Sequence, residues 1–170
     1  MSAIESPRPQ VMPAAGSSLS IIILAISAFL IVTTEFLIIG LLPALARDLG
    51  VSIAAAGQLV TLFGFTVMLF GPPLTAALAH LDRKKLFIAI LMVFAFANAL
   101  AALSSNIWML AVARFIPALM LPVFWGTASE TAAQLAGPAK AGQAIARVYL
   151  GITAALLLGI PLGTLAANGI

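Results

Sequence analysis

Cysteine is absent from the 170 residues, and histidine occurs once, at His80. A disulfide framework, a thiolate nucleophile and a Cys-rich zinc site are thereby excluded, and neither a metal nor a cofactor is expected. Charge is equally scarce: eight Lys and Arg with five Asp and Glu make up 8% of the chain. A water-soluble fold of this length cannot cover its surface with so few ionic groups. What is abundant is apolar, with 63% hydrophobic residues and a mean hydropathy of +1.20. Lipid must be the covering solvent. The net charge of +3 implies no nucleic-acid partner, because the basic residues lie scattered between long apolar runs and form no stripe.

Residues 1–18 are polar and rich in Pro, Gly and Ser, with Glu5 and Arg8 as their charges, and read as a disordered tail. The apolar run that follows from Leu19 is too long for a signal-peptide core and leads into further spans, so an uncleaved first helix is expected. A helix needs about 20 apolar residues to cross roughly 30 Å of hydrocarbon. Charge-free windows of that kind fall at about 19–45, 53–79, 86–103, 107–129 and 144–167. Ser104, Ser105 and Asn106 divide the third window from the fourth, and Trp108 just beyond them suits an interfacial anchor. The fold class expected is therefore all-α transmembrane. Short connections make neighbouring helices antiparallel, and small residues such as Ala54 to Gly57 let backbones approach closely.

Basic residues also set an orientation. Arg8, the Arg83-Lys84-Lys85 cluster and Lys140 fall on one side, with Arg147 just inside the fifth helix, while the opposite side has only Arg47. Positive residues stay cytoplasmic, which puts the N-terminus inside. An internal echo accompanies this topology. The second span contains Gly71-Pro72-Pro73-Leu74 and the fifth Gly159-Ile160-Pro161-Leu162, and each starts near a Gly-Gln pair, Gly57-Gln58 and Gly142-Gln143. Equivalent segments in oppositely directed helices, three spans apart, are what an inverted repeat leaves behind, and chance recurrence of common membrane residues is the alternative.

Two charges sit where charge is expensive. Glu35 lies in the first window, about 12 Å from its outer end near Pro43, and Arg114 lies about 10 Å into the fourth, both at a helical rise of ~1.5 Å per residue. The two can meet at one depth. An ionised side chain at mid-membrane costs on the order of 3 kcal/mol even on lenient scales, so each should face a cavity or the other. Burial disfavours the ionised carboxylate and a nearby guanidinium favours it, which lets conformation or substrate tip a proton on or off Glu35. A purely structural ion pair between the first and fourth helices is the other reading. Toward the cytoplasmic side, Arg83 or Arg147 could pair with Glu130 and latch the helix ends together.

With these residues placed, the chain resembles the drug:proton antiporter branch of the major facilitator superfamily, and especially its sugar- and nucleoside-efflux members. Four segments carry the resemblance. The first is Thr34-Glu35-Phe36-Leu37-Ile38-Ile39-Gly40-Leu41-Leu42-Pro43, followed by Asp48-Leu49-Gly50-Val51-Ser52 and Ala56-Gly57-Gln58. The second is Leu81-Asp82-Arg83-Lys84-Lys85, similar to the family's basic loop motif but lacking its leading Gly, so that Asp82 matches either the motif's Asp or its later Gly. The third is Ala113-Arg114-Phe115 continuing to Phe124-Trp125-Gly126, with Pro117 and Pro122 where small residues are usual. The fourth is Ala155, Gly159, Pro161, Gly163 and Thr164, which resembles the fifth-helix antiporter motif with Pro161 one place late.

The resemblance implies a membrane transporter of the bacterial inner membrane, not an enzyme, that exchanges protons for a sugar, nucleoside or drug and thereby confers resistance. It implies Glu35 and Arg114 as the proton and substrate site, and Asp82, Arg83, Lys84, Glu130 and Arg147 as a cytoplasmic gate. Gly159, Pro161 and Gly163 become a bent, closely packed helix that prevents leak between halves. It further implies twelve helices in two halves, of which five are represented here, so a missing C-terminal half is an expected partner alongside the bilayer, the substrate and protons. A non-transporting membrane subunit or truncated remnant that packs on other helices is the alternative from another class.

Overall fold

The structure is a computed structural model that describes residues 15–167. Among them are five apolar helices long enough to span a membrane. Helix α1 covers Ala15–Asp48, α2 Ile53–Leu78, α3 Arg83–Ala102 and α4 Ile107–Ala136. The fifth span begins with a 3-10 turn at Pro138–Lys140, continues as α5 Ala141–Ala154, passes through a π-helical turn at Ala155–Gly159, and finishes as α6 Ile160–Ala167.

Short polar caps decide where these helices start. Ser52, Asp82 and Asn106 each accept a hydrogen bond from the backbone N–H three residues on, at 2.9–3.1 Å, satisfying donors that a helix cannot satisfy itself. Glycine decides two of the ends. Gly50 and Gly137 adopt positive φ of 63° and 75°, and Gly137 N–H closes onto the Ala133 carbonyl at 3.0 Å, the left-handed stop that only glycine adopts freely.

The helices outrun the hydropathy windows at several ends. The window stops at a charge, whereas the helix continues past it into the polar zone. Helix α1 starts at Ala15, four residues before the expected span, and Ser17 is already buried; residues 1–14 of the expected tail lie outside the described residues. At its other end α1 passes Pro43 and ends at Asp48. Arg83, Lys84 and Lys85 form the first turn of α3, and α4 runs on through Glu130 to Ala136.

Helix α4 is the hub. It packs against α1, α2, α3 and α5, and a core of Ala28, Ile31, Ile90, Phe94, Phe124 and Val148 gathers around it. Around this core, large apolar side chains point outward, including Met68 on α2, Phe96 on α3 and Leu157 in the π-turn. Such an all-round apolar exterior is compatible with lipid and not with water.

Two close helix seams relate to each other through the echo. A methyl group added at Gly71 would meet Pro122 Cγ of α4 at 2.8 Å, and one added at Gly159 would strike Thr33 of α1. Exchanging α1 for α4 and α2 for the fifth span carries one contact onto the other. Each Gly-x-Pro-Leu unit thus opens on a glycine packed closely against a neighbouring helix, α4 for Gly71 and α1 for Gly159, a pairing that an inverted repeat would produce.

Candidate functional site

Glu35 and Arg114 come together from α1 and α4, 79 residues apart in sequence. Arg114 Nη2 lies 3.0 Å from Glu35 Oε2 and donates a hydrogen bond to the Glu35 backbone carbonyl, also at 3.0 Å. Both side chains are buried, with 3% and 8% of their surfaces exposed. The directed hydrogen bond goes to the carbonyl, so the carboxylate is held by charge, and Glu35 Oε2 and Arg114 Nε are left without a hydrogen-bond partner. The ring of Phe63 on α2 lies under the guanidinium, 4.8 Å from Cζ to the centroid, and adds cation–π attraction.

A cleft of about 170 Å³ opens beside the pair, between α1, α3 and α4. Its walls include Thr34, Leu41 and Leu45 of α1, Asn98 of α3 and Leu110 of α4. Sequence reading missed both Asn98 and Phe63. Asn98 did leave a signal, as the lone amide in the window 86–103, whereas Phe63 is one of ten phenylalanines and nothing local distinguishes it. Thr34 and Thr66 donate within their own helices to the carbonyls of Ile31 and Leu62 at 2.9 and 2.7 Å, whereas the buried Thr33 hydroxyl has no hydrogen-bond partner among the described residues.

At the opposite end of the bundle, Arg83 Nη2 pairs with Glu130 Oε2 at 2.7 Å, and Gln134 Nε2 donates to the other Glu130 oxygen at 3.0 Å. Of the two partners expected for Glu130, the structure thus brings Arg83. Arg147 is exposed and lines an apolar groove between α1 and α5, with Ile22, Ile26 and Leu150. Asp82 caps α3 through its hydrogen bond from Lys85 N–H, a structural task, and Lys84 is exposed on the first turn of that helix.

Gly159 and Gly163 face α1. A methyl group at Gly163 would meet Leu37 Cδ1 at 2.8 Å, and Gly151 one stretch earlier lies against the Ala25 carbonyl and Ala28. Glycine every few residues lets the fifth span lie directly on the α1 backbone. Pro161 follows the π-turn, in which the Ile160 N–H reaches back to the Ala155 carbonyl. Proline has no N–H to give and its ring crowds the preceding turn, and the widened turn relieves that crowding.

Five spans, a charged pair buried between the first and fourth, and close glycine seams define a multi-pass helical membrane protein. Residues 24–170 match the Major Facilitator Superfamily, and the chain belongs to that family. It is 43% identical over 147 residues to the uncharacterized MFS-type transporter YbcL of Bacillus subtilis (strain 168), covering 86% of this chain and 38% of that protein. It is 37% identical over 141 residues to the inner membrane transport protein YdhP of Escherichia coli (strain K12), covering 83% and 36%. A probable sugar efflux transporter of Helicobacter pylori (strain J99 / ATCC 700824) is 32% identical over 143 residues, covering 84% and 37%. The chain thus spans less than two-fifths of the length of these relatives.

Proposed function

We propose that this chain forms the first five spans of a proton-coupled antiporter of the bacterial inner membrane, which exports a small molecule such as a sugar, nucleoside or drug. The observation that carries the reading is the Glu35–Arg114 pair. Two full charges deep in a membrane bundle are costly, and a carboxylate held by charge but not by a directed hydrogen bond is free to take a proton without breaking one. The relatives named as transport proteins in Escherichia coli and as a probable sugar efflux transporter in Helicobacter pylori support it.

In this reading Glu35 carries the proton and Arg114 holds the carboxylate in place when the proton leaves. The N-terminus is cytoplasmic, so Arg83 and Glu130 latch α3 to α4 on the cytoplasmic side and separate when that side opens. Gly159, Pro161 and Gly163 seal the fifth span onto α1. The substrate path is completed by the second half of a transporter that contains this segment.

The test is Glu35→Gln in a full-length transporter carrying this segment, assayed in everted vesicles. The expected outcome is loss of uptake driven by a proton gradient, with downhill exchange of substrate retained. Unchanged gradient-driven uptake in the Gln variant would remove the proton role.

A further inference from the structure

The 170 Å³ cleft between α1, α3 and α4 is more than a packing defect. A water molecule occupies about 30 Å³ in the liquid and needs two to four polar partners to stay, so the cleft has room for several if its walls are polar enough. Four groups meet that requirement. Glu35 and Arg114 line it together with Thr34 and Asn98, although the ion-paired Glu35 Oε2 and the Arg114 Nε are themselves buried without a hydrogen-bond partner among the described residues. The Thr34 hydroxyl donates to Ile31 and keeps its oxygen free to accept. The Asn98 amide makes no side-chain hydrogen bond among the described residues, although it offers two donors and an acceptor oxygen.

The cleft also has a direction. From the ion pair its lining climbs α1 through Leu41 to Leu45, and reaches Ala101 near the end of α3 and Leu110 near the start of α4. That is the end of the bundle where α1 stops and α4 begins, the extracytoplasmic end in the proposed topology. The charged group facing Glu35 is Arg114 from α4. Asn98 from α3 and Phe63 from α2 are neutral, and no further charged residue lines the cleft among the described residues.

We infer that this cleft is a hydrated inlet through which protons reach Glu35 from the extracytoplasmic side, with Asn98 as the positioning residue that holds its water. A proton delivered along the inlet neutralises the Glu35 carboxylate, and in a coupled cycle it leaves toward the cytoplasm once the site opens to that side. The inference rests on the proposed role of Glu35 in proton coupling.

The chain has no cysteine, so a single substitution reports alone. Asn98→Cys and Ala101→Cys, one turn apart on the cleft, are compared with Phe96→Cys on the exposed apolar face of α3. Each variant of the full chain is treated in intact cells with a membrane-impermeant cationic methanethiosulfonate, which reacts with the thiolate that forms only in water. The expected result is reaction at least ~10-fold faster at positions 98 and 101 than at 96, slowed again when Leu45→Trp fills the mouth. Equal rates at all three positions overturn the inlet. In a full-length transporter, Asn98→Leu is expected to slow proton-driven exchange several-fold with substrate affinity unchanged, and Asn98→Ser to restore most of it. No slowing in Asn98→Leu removes the role of Asn98 even if the cleft is wet. Failure of the Glu35→Gln assay with labelling intact removes proton coupling and leaves the hydrated cleft standing, so the two ideas fail separately.

Discussion

Arg114 joins three helices through one side chain. Its guanidinium binds the Glu35 carbonyl, faces the Glu35 carboxylate and covers the Phe63 ring, so it ties α1, α2 and α4 together at one point. Removing it strands a buried carboxylate. Breaking a buried pair from one side costs about 3–5 kcal/mol, whereas replacing both partners with neutral groups is far milder. Arg114→Ala is therefore expected to lower the thermal unfolding midpoint in detergent sharply, and Glu35→Gln with Arg114→Gln to recover most of the loss. If the double variant were as unstable as the single one, charge pairing would not be what holds this site. The surface pair Arg83–Glu130 is of a different kind. Its carboxylate side chain is half exposed, and exposed pairs contribute only about 0–1 kcal/mol. Its value in the proposed cycle is that it breaks easily.

The fifth span was expected to be a bent, closely packed helix that prevents leak between halves. In the structure Gly151, Gly159 and Gly163 pack closely against α1 within the bundle. Spacing along a helix tells that one face is bare, but which neighbour lies on that face is a property of packing. Gly159→Ala should drive a methyl group into Thr33, and overpacking of this sort costs about 1–3 kcal/mol. Gly142→Ala meets nothing within 4 Å and should be neutral or stabilise by up to ~1 kcal/mol, the ordinary helix preference for alanine. Unfolding of the two variants side by side in one detergent checks the contrast, and adding Thr33→Gly to Gly159→Ala should restore part of the loss. The π-turn before Pro161 was likewise invisible in the sequence. A proline inside a helix can kink it, end it or widen a turn, and the packing on α1 selects the third.

For the bundle as a whole, orientation rests on five basic positions and not on any contact. Arg83, Lys84 and Lys85 lie at the start of α3 and Lys140 precedes α5, at the end of the molecule opposite Arg47. Alkaline phosphatase fused after Ser105 should be active and fusions after Asp82 or Pro138 inactive. The reverse pattern would invert the topology and turn the proposed inlet to the cytoplasm.

Composition decided the solvent, and the order of residues decided the number of spans and the depth at which two charges must be sheltered, because the cost of exposing polar groups to hydrocarbon is large and local, and leaves its mark on every stretch of chain. Glu35 and Arg114 were legible for that reason. Which helix each glycine touches, whether Arg83 or Arg147 reaches Glu130, and that Asn98 and Phe63 join the charged pair were decided only in three dimensions. Those outcomes depend on how helices rotate and tilt against one another, and the small, shared energies that set rotation and tilt are summed over many side chains and written at no single residue.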